Sequence, residues 1–479
     1  MKTIKNLRIT AVLGLPLVCA TFMSCSQESL SFMIEPEQIQ PTPMALTQEE
    51  CRYLITEEKD RHISPEEALG RIIDHEGNFT RGNNDLQATG VIYKEEIGIE
   101  GKHSVIPDTL AYYFNSESMG RRYIVSADNR TPQSLLAQFS VSDEELPMND
   151  TEETIKDIIR KGIANYVSKE ITKYESQKDS ILAEAKQKLA LMTLNDSSNV
   201  TTRAKDLPGY GNHDEYMVIE RTAGTWAETA FKDAMVEVAW WQFDPYNKAI
   251  KDTLYCSEGL AAAKGTPLGC AVVALGQMMT YWNYPASVGG EMVDWEDLKV
   301  FPSIENYDIN RSAKVSSLMK HIYVGCNSIP DCEGSITHIP ELTDYLAGLG
   351  YHIGEPQPYA DNAIIAALNN SRPVFIIGEN NYGKAHAWLI DGYQTKSKTR
   401  IMDTYVYNTR RESWDLLRTD YITDSSTLLH HNWGILSLYA GWYAAGCFEM
   451  ENQLELTRSA SESNFCESVQ IITDIYPNN

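Results

Sequence analysis

Apolar positions recur every three or four residues through residues 151–192, with charged residues between them. This period matches one face of an α-helix, so the segment predicts either two helices end to end or one long helix. Earlier in the chain, Thr47 and Glu50 have the spacing of a capping box and predict a short helix. The apolar runs 112–114 and 123–125 flank a turn rich in Gly, Ser and Asn, which predicts a β-hairpin.

The periodic pattern stops between Thr193 and Arg221, where small polar residues, glycine and proline take over. Such composition predicts a loop or linker, and we place the main domain boundary here. Arg203 and Lys205 make the segment a plausible target for proteolysis, because nicking concentrates in exposed flexible chain.

Downstream of Thr225 the chain reads as a mixture of helices and strands. Helices are predicted over 225–241, from Cys270 onward, near 316–323 and from Asp361, with loop-like sequence over 302–315. Strands are predicted over 374–377 and in the stretch AHAWLIDGY that begins at Ala385.

The N-terminus has the features of a bacterial export signal. Three basic residues precede an apolar stretch over 9–23, which is too short to be a convincing membrane span. The following FMSCSQ resembles a lipoprotein box, so we expect residues 1–25 to form a lipoprotein-type signal peptide with Cys25 as the lipidated residue. The alternative is a soluble secreted protein cleaved near the same place. The Pro-containing, polar residues 26–44 have the composition of a tether.

Length and charge narrow the classes of function. A chain of 479 residues is long enough for several domains, and a formal charge of −25 disfavours nucleic acid or anionic lipid as a partner, because phosphates would be repelled. We therefore expect contact with a membrane only through a lipid anchor. The protein is expected at the outer membrane or cell surface, or periplasmic or secreted.

The cysteine count is informative in an exported protein. Two of the nine cysteines, Cys19 and Cys25, fall in the signal region, and the remaining seven leave at least one thiol unpaired or reactive. Cys326 and Cys332 are close enough in sequence for a short loop disulfide, although the connectivity stays open. A metal site built from these two and nearby histidines lacks a compact ligand spacing and is not expected.

One cysteine has the setting of a nucleophile. Cys270 follows Gly269 and precedes a run of small apolar residues, so it is predicted in the first turn of a buried helix, where backbone N–H groups and the helix dipole favour a thiolate. Simple core packing explains the same residues. His386, on a predicted strand more than 100 residues later, is a candidate general base for it, or a histidine of the core.

Three further residues complete the candidate chemistry. Gln242 carries an amide that can donate to an oxyanion, with the backbone N–H of Cys270 as a second donor. Asn432 can hydrogen-bond the histidine and fix its tautomer, and Trp433 can shield that bond from water. Gly269 and Ala385 are placed along the approach of a substrate.

Together these motifs resemble the streptopain family of papain-like cysteine peptidases. The matches, in the family's order, are WWQFDPYN, GCAVVALGQMMTYWNYP, PVFIIG with AHAWLIDGY, and HHNWG. Residues 112–140 are similar to the family's inhibitory propeptide, so the resemblance covers most of the chain from about residue 45. It implies an α+β fold in which a papain-like two-lobed catalytic domain follows a smaller α+β prodomain.

The resemblance also implies roles. Cys270 would be the nucleophile, His386 the general base and acid, and Gln242 an oxyanion donor, with Asn432 and Trp433 supporting the histidine. No metal or organic cofactor is implied; the partners are protein or peptide substrates and the chain's own prodomain.

Three features depart from the family pattern. Lys384 and Ala385 stand where two glycines are usual, Ile435 stands where a second tryptophan is common, and residues 395–430 form a long insert. The first two remove no chemical role, and the insert is expected to change what the cleft admits.

The resulting hypothesis is a cysteine endopeptidase made as a zymogen. Its expected domains are a prodomain over 45–200, an activation linker over 201–221 and a catalytic domain over 222–479. Two other functions retain the same residues: a catalytically idle surface lipoprotein that binds a protein partner, and a Cys–His acyltransferase.

Overall fold

The computed structural model describes residues 46–56, 61–77, 85–99, 105–140, 150–196, 216–222, 224–379, 385–408, 412–449 and 468–478. The signal peptide and tether predicted for residues 1–44, Cys25 among them, lie outside these residues. We refer to the described residues up to 196 as the N-terminal half and to those from 216 onward as the C-terminal half.

The N-terminal half begins with two capped helices, α1 (Gln48–Ile55) and α2 (Pro65–Glu76). The predicted capping box of α1 is present: Thr47 Oγ1 accepts from the Glu50 N–H at 3.1 Å, and the Thr47 N–H donates to the Glu50 carboxylate at 2.7 Å. Both bonds satisfy N–H groups that the first helical turn leaves unpaired.

Four antiparallel strands and one long helix complete this half. The strands are β1 (Gln87–Tyr93), β2 (Thr109–Ser116), β3 (Arg121–Ser126) and β4 (Leu135–Ser140). The predicted hairpin is β2–β3. The apolar period over 151–192 belongs to a single helix, α3 (Asp150–Asp196), whose residues Ile155, Ile159 and Ile163 are buried.

Most helices of the C-terminal half share one core with a buried helix, and the last of them packs in the core shared with the N-terminal half. They are α4 (Gly259–Lys264), α5 (Cys270–Trp282), α6 (Trp295–Leu298), α7 (Ile309–Gly325), α8 (Ile339–Gly348) and α9 (Asp361–Asn369). Every residue of α5 from Ala271 to Thr280 is buried, and the helix starts at Cys270 as predicted. The loop predicted over 302–315 is wrong in its second part, because Asp308 caps α7 by accepting from the Arg311 N–H at 3.1 Å.

Of the twelve remaining strands in the described residues, eight add to the sheet of the N-terminal half and four form two separate two-stranded sheets. The twelve are β5 (Tyr216–Thr222), β6 (Ala227–Lys232), β7 (Ser287–Val288), β8 (Glu291–Met292), β9 (Tyr351–Ile353), β10 (Gln357–Pro358), β11 (Val374–Glu379), β12 (Ala385–Asn408), β13 (Ser413–Asn432), β14 (Gly441–Ala444), β15 (Ser468–Ile472) and β16 (Ile475–Pro477). The main sheet runs β1-β2-β3-β4-β14-β13-β12-β11-β15-β10, with β5 and β6 also paired to β12, and the separate sheets pair β7 with β8 and β9 with β16. The α+β prediction is therefore confirmed, and one sheet joins the two halves through β4 and β14.

The helix predicted over 225–241 is wrong. Residues 227–232 are strand β6, paired to β12, and the chain then runs beside the same strand. The N–H groups of Met235 and Val236 bond to the backbone carbonyl and the carboxylate of Asp391, at 3.0 and 2.8 Å. Tertiary hydrogen bonds thus replace those that a helix would have made.

The linker prediction over 193–221 is wrong at both ends. Helix α3 continues to Asp196, and β5 pairs with β12 from Tyr216 to Thr222. Residues 197–215 lie outside the described residues, so the boundaries drawn at 200 and 221 stay predictions.

The insert over 395–430 forms the outer part of the long β12–β13 hairpin. A small core joins this hairpin to the N-terminal half: Met402 and Ile422 pack with Cys51 of α1 and with Ala185 and Leu189 of α3. The insert therefore holds both ends of the N-terminal half against the sheet.

The disulfide suggested by sequence proximity, Cys326–Cys332, is wrong. Cys332 is bonded to Cys256, 76 residues away, with a Cα–Cα distance of 5.7 Å. Cys326 is instead a free thiol in the core beside α7. Folding brings Cys256 to Cys332 from a distant part of the chain, so closeness in sequence does not predict this disulfide.

In the part of the chain that the structure describes, we find no helix with the length and apolar character needed to span a bilayer.

Candidate active site

Cys270 is the first residue of α5, and Gly269 precedes it in a conformation that favours glycine. Gly269 has φ +87°, and a Cβ placed there would lie 2.1 Å from the carbonyl oxygen of Ser335. The close backbone approach alone therefore requires glycine at this position. The earlier interpretation of Gly269 as a gap for substrate stays a prediction.

The Cys270 thiol lies against the beginning of β12, where His386 is located. Its sulfur accepts from the Ala387 N–H at 3.2 Å and is 4.0 Å from the Ala385 carbonyl oxygen. Cys270 itself is half-buried, and Ala385 is exposed. Folding has thus brought the cysteine to the two residues that flank the histidine, across more than 100 residues of sequence.

The His386 ring packs on the other side of β12. His386, Trp388 and Ile390 alternate along the strand, and the last two belong to the core shared with the N-terminal half. Ala387 and Leu389 face the core around α5, against which Cys270 also packs. The thiol and the imidazole therefore approach the strand from opposite faces.

Hydrogen bonds and ring contacts hold His386 in this position. Its Nε2 lies 3.1 Å from the Trp433 carbonyl oxygen, and its ring stacks on Trp388 and Trp433 at centroid distances of 5.7 and 6.2 Å. Within the described residues, no hydrogen bond joins His386 to the sulfur of Cys270. The two groups are neighbours along β12, but they do not form a bonded pair in this structure.

Both groups are uncharged at neutral pH. Burial raises the pKa of the Cys270 thiol above its usual value, an effect that backbone N–H groups only partly offset. Burial lowers the pKa of His386 to about 4, while the bond to the Trp433 carbonyl acts the other way. The site consequently holds a thiol and a neutral imidazole instead of the thiolate–imidazolium pair that a nucleophilic cysteine needs.

The buried neutral histidines make the fold sensitive to acid. The folded pKa of His386, about 4, is below the ordinary 6.5, so the unfolded chain binds a proton first as pH falls. Between pH 6.5 and 4 we expect His386 to reduce the free energy of unfolding by about 3 kcal/mol. Burial also lowers the pKa of His431, which adds to the loss. Urea unfolding at several pH values measures the effect.

A pair of variants assigns this pH dependence. His386→Gln should flatten the stability profile between pH 6.5 and 4, while His352→Gln, at an exposed position, should leave it unchanged. An unaltered profile in His386→Gln would contradict the assignment.

Asn432 does not bond to His386 in this structure, contrary to the expected contact. Its Nδ2 donates to the Val238 carbonyl at 2.9 Å, and its Oδ1 accepts from Gln277 Nε2 at 3.3 Å. The reason is geometric: Asn432 is the last residue of β13, and its side chain contacts Gln277 of α5. Trp433 does contact the histidine, through its ring and its carbonyl group.

Gln242 lies beside the first turn of α5. It is buried, and its backbone carbonyl accepts from the Leu268 N–H at 3.0 Å, two residues before Cys270. Its Oε1 is near Gly334, in the loop that also covers Gly269. Gln242 is thus bonded to the segment that leads into α5, and its role as an oxyanion donor stays a prediction.

Gln277 and His431 support the site but were not singled out in the sequence. Gln277 is fully buried in α5, where its Oε1 accepts from the Trp240 N–H at 2.6 Å, so it links the segment before Gln242 to Asn432. Its signal was a polar residue in an otherwise apolar helix. His431 Nδ1 accepts from the Trp388 indole at 2.9 Å and fixes that ring beside His386.

A histidine–carboxylate pair, separate from His386, lies on β12 and β13. His430 Nδ1 is 2.6 Å from the carboxylate of Asp391, which is fully buried and also accepts from Val236. This pair anchors the extended segment after β6. Among the described residues, no cluster of three or more His, Cys, Asp or Glu side chains could hold a metal ion.

The sequence of residues 240–443 matches the model of the Peptidase C10 family. No curated protein sequence matches the chain. Two solved structures from Prevotella intermedia are similar to it. A mutant fragment of prointerpain A has a TM-score of 0.45 and 16% identity, over 80% of this chain and 98% of that chain. Active wild-type interpain A cysteine protease has a TM-score of 0.34 and 18% identity, over 52% of this chain and 96% of that chain.

Proposed function

We propose that this cysteine peptidase, whose residues 240–443 match the Peptidase C10 family model, is made as a zymogen. The zymogen is an endopeptidase precursor whose N-terminal half inhibits it. The C-terminal half would hydrolyse peptide bonds in protein or peptide substrates. Cleavage between the two halves would convert the precursor to the active enzyme.

Cys270 and His386 carry the chemistry in this proposal. The thiolate of Cys270 attacks the carbonyl carbon of the scissile peptide, and the resulting oxyanion accepts hydrogen bonds from the Cys270 N–H and the Gln242 side-chain amide. His386 takes the thiol proton and gives it to the leaving amine. Water then hydrolyses the thioester and frees Cys270. Trp433 and Asn432 position the segment on which the histidine depends.

The observation that carries the zymogen proposal is the position of the His386 ring. It packs on Trp388 and Trp433, and these two rings share one apolar core with residues of β2, β3, β4 and α3. The phenyl ring of Phe448 extends this core to α3, where a Cβ at Gly162 would lie 2.8 Å from it. The N-terminal half therefore buries the aromatic surface that holds the histidine away from the thiol.

Departure of the N-terminal half would change this environment. It would uncover one side of the aromatic surface and let water reach the imidazole, which removes the cause of its lowered pKa. The ring could then turn to Cys270 and accept its proton. Precursor and enzyme would then differ in activity without any change in the residues that act.

Sequencing the N-terminus of purified protein tests the precursor. α3 ends at Asp196 and β5 begins at Tyr216, which supports a cut between these two elements. We expect the active form to start within 197–215, with β5 retained on the hairpin. If processing is autocatalytic, Cys270→Ala stays full length while the matched Cys51→Ala chain is cleaved. An active form that retains its full N-terminal half would contradict the proposal.

We also infer export with a lipid anchor at Cys25, on the sequence of residues 1–25 alone. The expected product has an acylated N-terminal Cys25, and mass spectrometry of the N-terminal peptide detects it as an added lipid mass. A Cys25→Ser chain should lack this mass and leave the membrane fraction. An unmodified N-terminus in the native protein would exclude the anchor and leave only secretion.

The two alternatives gain no support from the described residues. Cysteine and histidine are both retained, which argues against an idle binding protein, and no observation favours acyl transfer to an amine over water.

A further inference from the structure

A cavity of about 340 Å³ lies in the N-terminal half between the sheet and α3, and neither Cys270 nor His386 lines it. Its lining includes Tyr113 of β2, Phe139 of β4, Ile159 of α3 and Tyr439. Its volume is in the range of pockets that hold small organic molecules. The sites described above leave this cavity without a role.

One side chain in the cavity has an unmet need for a partner. Arg122 of β3 lines it, and the Nε of Arg122 is buried without a hydrogen-bond partner. Directly opposite on β2, the buried Oδ1 of Asn115 is also without a partner. Buried polar atoms in native proteins are nearly always paired, so the unpaired donor of a residue that lines the cavity indicates a missing acceptor.

The charges around the cavity favour an anion as that acceptor. The other charged residues in the lining are Lys156, Arg160 and Asp157. Arg160 bonds to Glu96 at 2.8 Å, and Asp157 bonds to Lys161 at 2.8 Å. The carboxylate of Asp157 is thus already neutralised by a cation. The positive charge of Arg122 is not offset by a bonded carboxylate among the described residues, and a guanidinium binds carboxylates through two parallel N–H bonds.

The rest of the lining favours an apolar body. The rings of Tyr113, Phe139 and Tyr439 surround the cavity, and Phe139 lies directly across from Arg122 in the register of β3 and β4. Phe139 and Tyr439 are themselves in ring contact at 5.7 Å. Aromatic walls of this kind contact flat or branched apolar groups well.

We propose that this cavity binds a small organic acid, with its carboxylate on the Arg122 guanidinium and an aromatic or aliphatic body among Tyr113, Phe139 and Tyr439. Tyr439 belongs to the Peptidase C10 domain, whereas the other lining residues belong to the N-terminal half. A bound acid therefore contacts both halves and stabilises their association by mass action. Binding is independent of peptidase activity.

The test is titration of the full-length chain with 3-phenylpropionate, by isothermal calorimetry and by its effect on the melting temperature. We expect binding, a rise in melting temperature, and at least about 10-fold weaker binding of the neutral 3-phenylpropan-1-ol, which lacks the charge. Absence of binding by the acid, or equal binding of the alcohol, would overturn the proposal.

Two arginine variants locate the site. Arg122→Gln should weaken binding of 3-phenylpropionate at least about 10-fold. Arg121→Gln is the matched control: this neighbouring arginine is exposed, lies 3.8 Å from Glu76 and does not line the cavity, so binding should be unchanged. If Arg122→Gln loses the native circular dichroism spectrum, Arg122→Lys, which keeps the charge but not the paired N–H groups, should bind several-fold more weakly than the native chain. Undiminished binding in a folded Arg122 variant would refute the site.

Discussion

Replacing Cys270 by alanine is expected to lower kcat/KM for peptide hydrolysis at least about 10³-fold, because no other group can form the thioester. Cys270 is the free cysteine at the start of α5 that is half-buried, whereas Cys51, Cys326 and Cys447 are buried. Initial rates with fluorogenic peptides, measured on the form that lacks the N-terminal half, determine the effect.

The effect on the rate of losing any cysteine must be distinguished from the effect of losing the nucleophile. Cys326→Ala removes a free, buried cysteine from the C-terminal half, which the cleaved enzyme retains, and should keep the native rate. Native rates in Cys270→Ala would reject the proposed mechanism, whatever the fate of the precursor. Since both variants exchange cysteine for alanine, the comparison depends only on position.

The second large effect concerns the reactivity of the Cys270 thiol. At pH 7 we expect iodoacetamide to alkylate Cys270 about 100-fold more slowly in the full-length chain than in the cleaved enzyme. Burial raises the thiol pKa in the full-length chain, and the pKa of His386, about 4, leaves no imidazolium to stabilise a thiolate. Mass spectrometry of the peptide that contains Cys270, followed over time, measures the rate.

The pH profile separates this explanation from simple steric protection. In the full-length chain the alkylation rate should keep rising with pH beyond pH 9, because the raised pKa of the Cys270 thiol means that it still loses its proton above that pH. In the cleaved enzyme the rate should level off at a lower pH, once His386 shares a proton with Cys270. Equal rates and profiles in the two forms would show that the N-terminal half does not control the thiol.

Local signals in the sequence predicted the elements whose hydrogen bonds and packing are local. The capping box at Thr47, the period of α3 and the start of α5 at Cys270 are each encoded within a few residues, and the structure has each of them. The helix expected over 225–241 failed because Asp391, on another strand, takes up its backbone N–H groups. A pattern within one segment carries no information about such a partner.

The candidate site shows the same division. Residue type and the family resemblance of the motifs singled out Cys270, His386, Gln242 and Trp433 as candidates, and their catalytic roles stay predictions. That Asn432 bonds to Gln277 and Val238, and not to His386, depends on how α5 packs behind β13. The pairing of Cys256 with Cys332 likewise depends on a meeting of distant segments.

By itself, the sequence determined which groups are available for catalysis and where most regular elements begin, because residue chemistry and hydrophobic period are local properties. Only the tertiary structure decided how these groups are placed relative to one another and whether they are charged. The sheet that joins the two halves and the shared aromatic core place the His386 ring on one face of β12 and the Cys270 sulfur on the other. Burial then leaves both uncharged, since desolvation disfavours the charged form of each group.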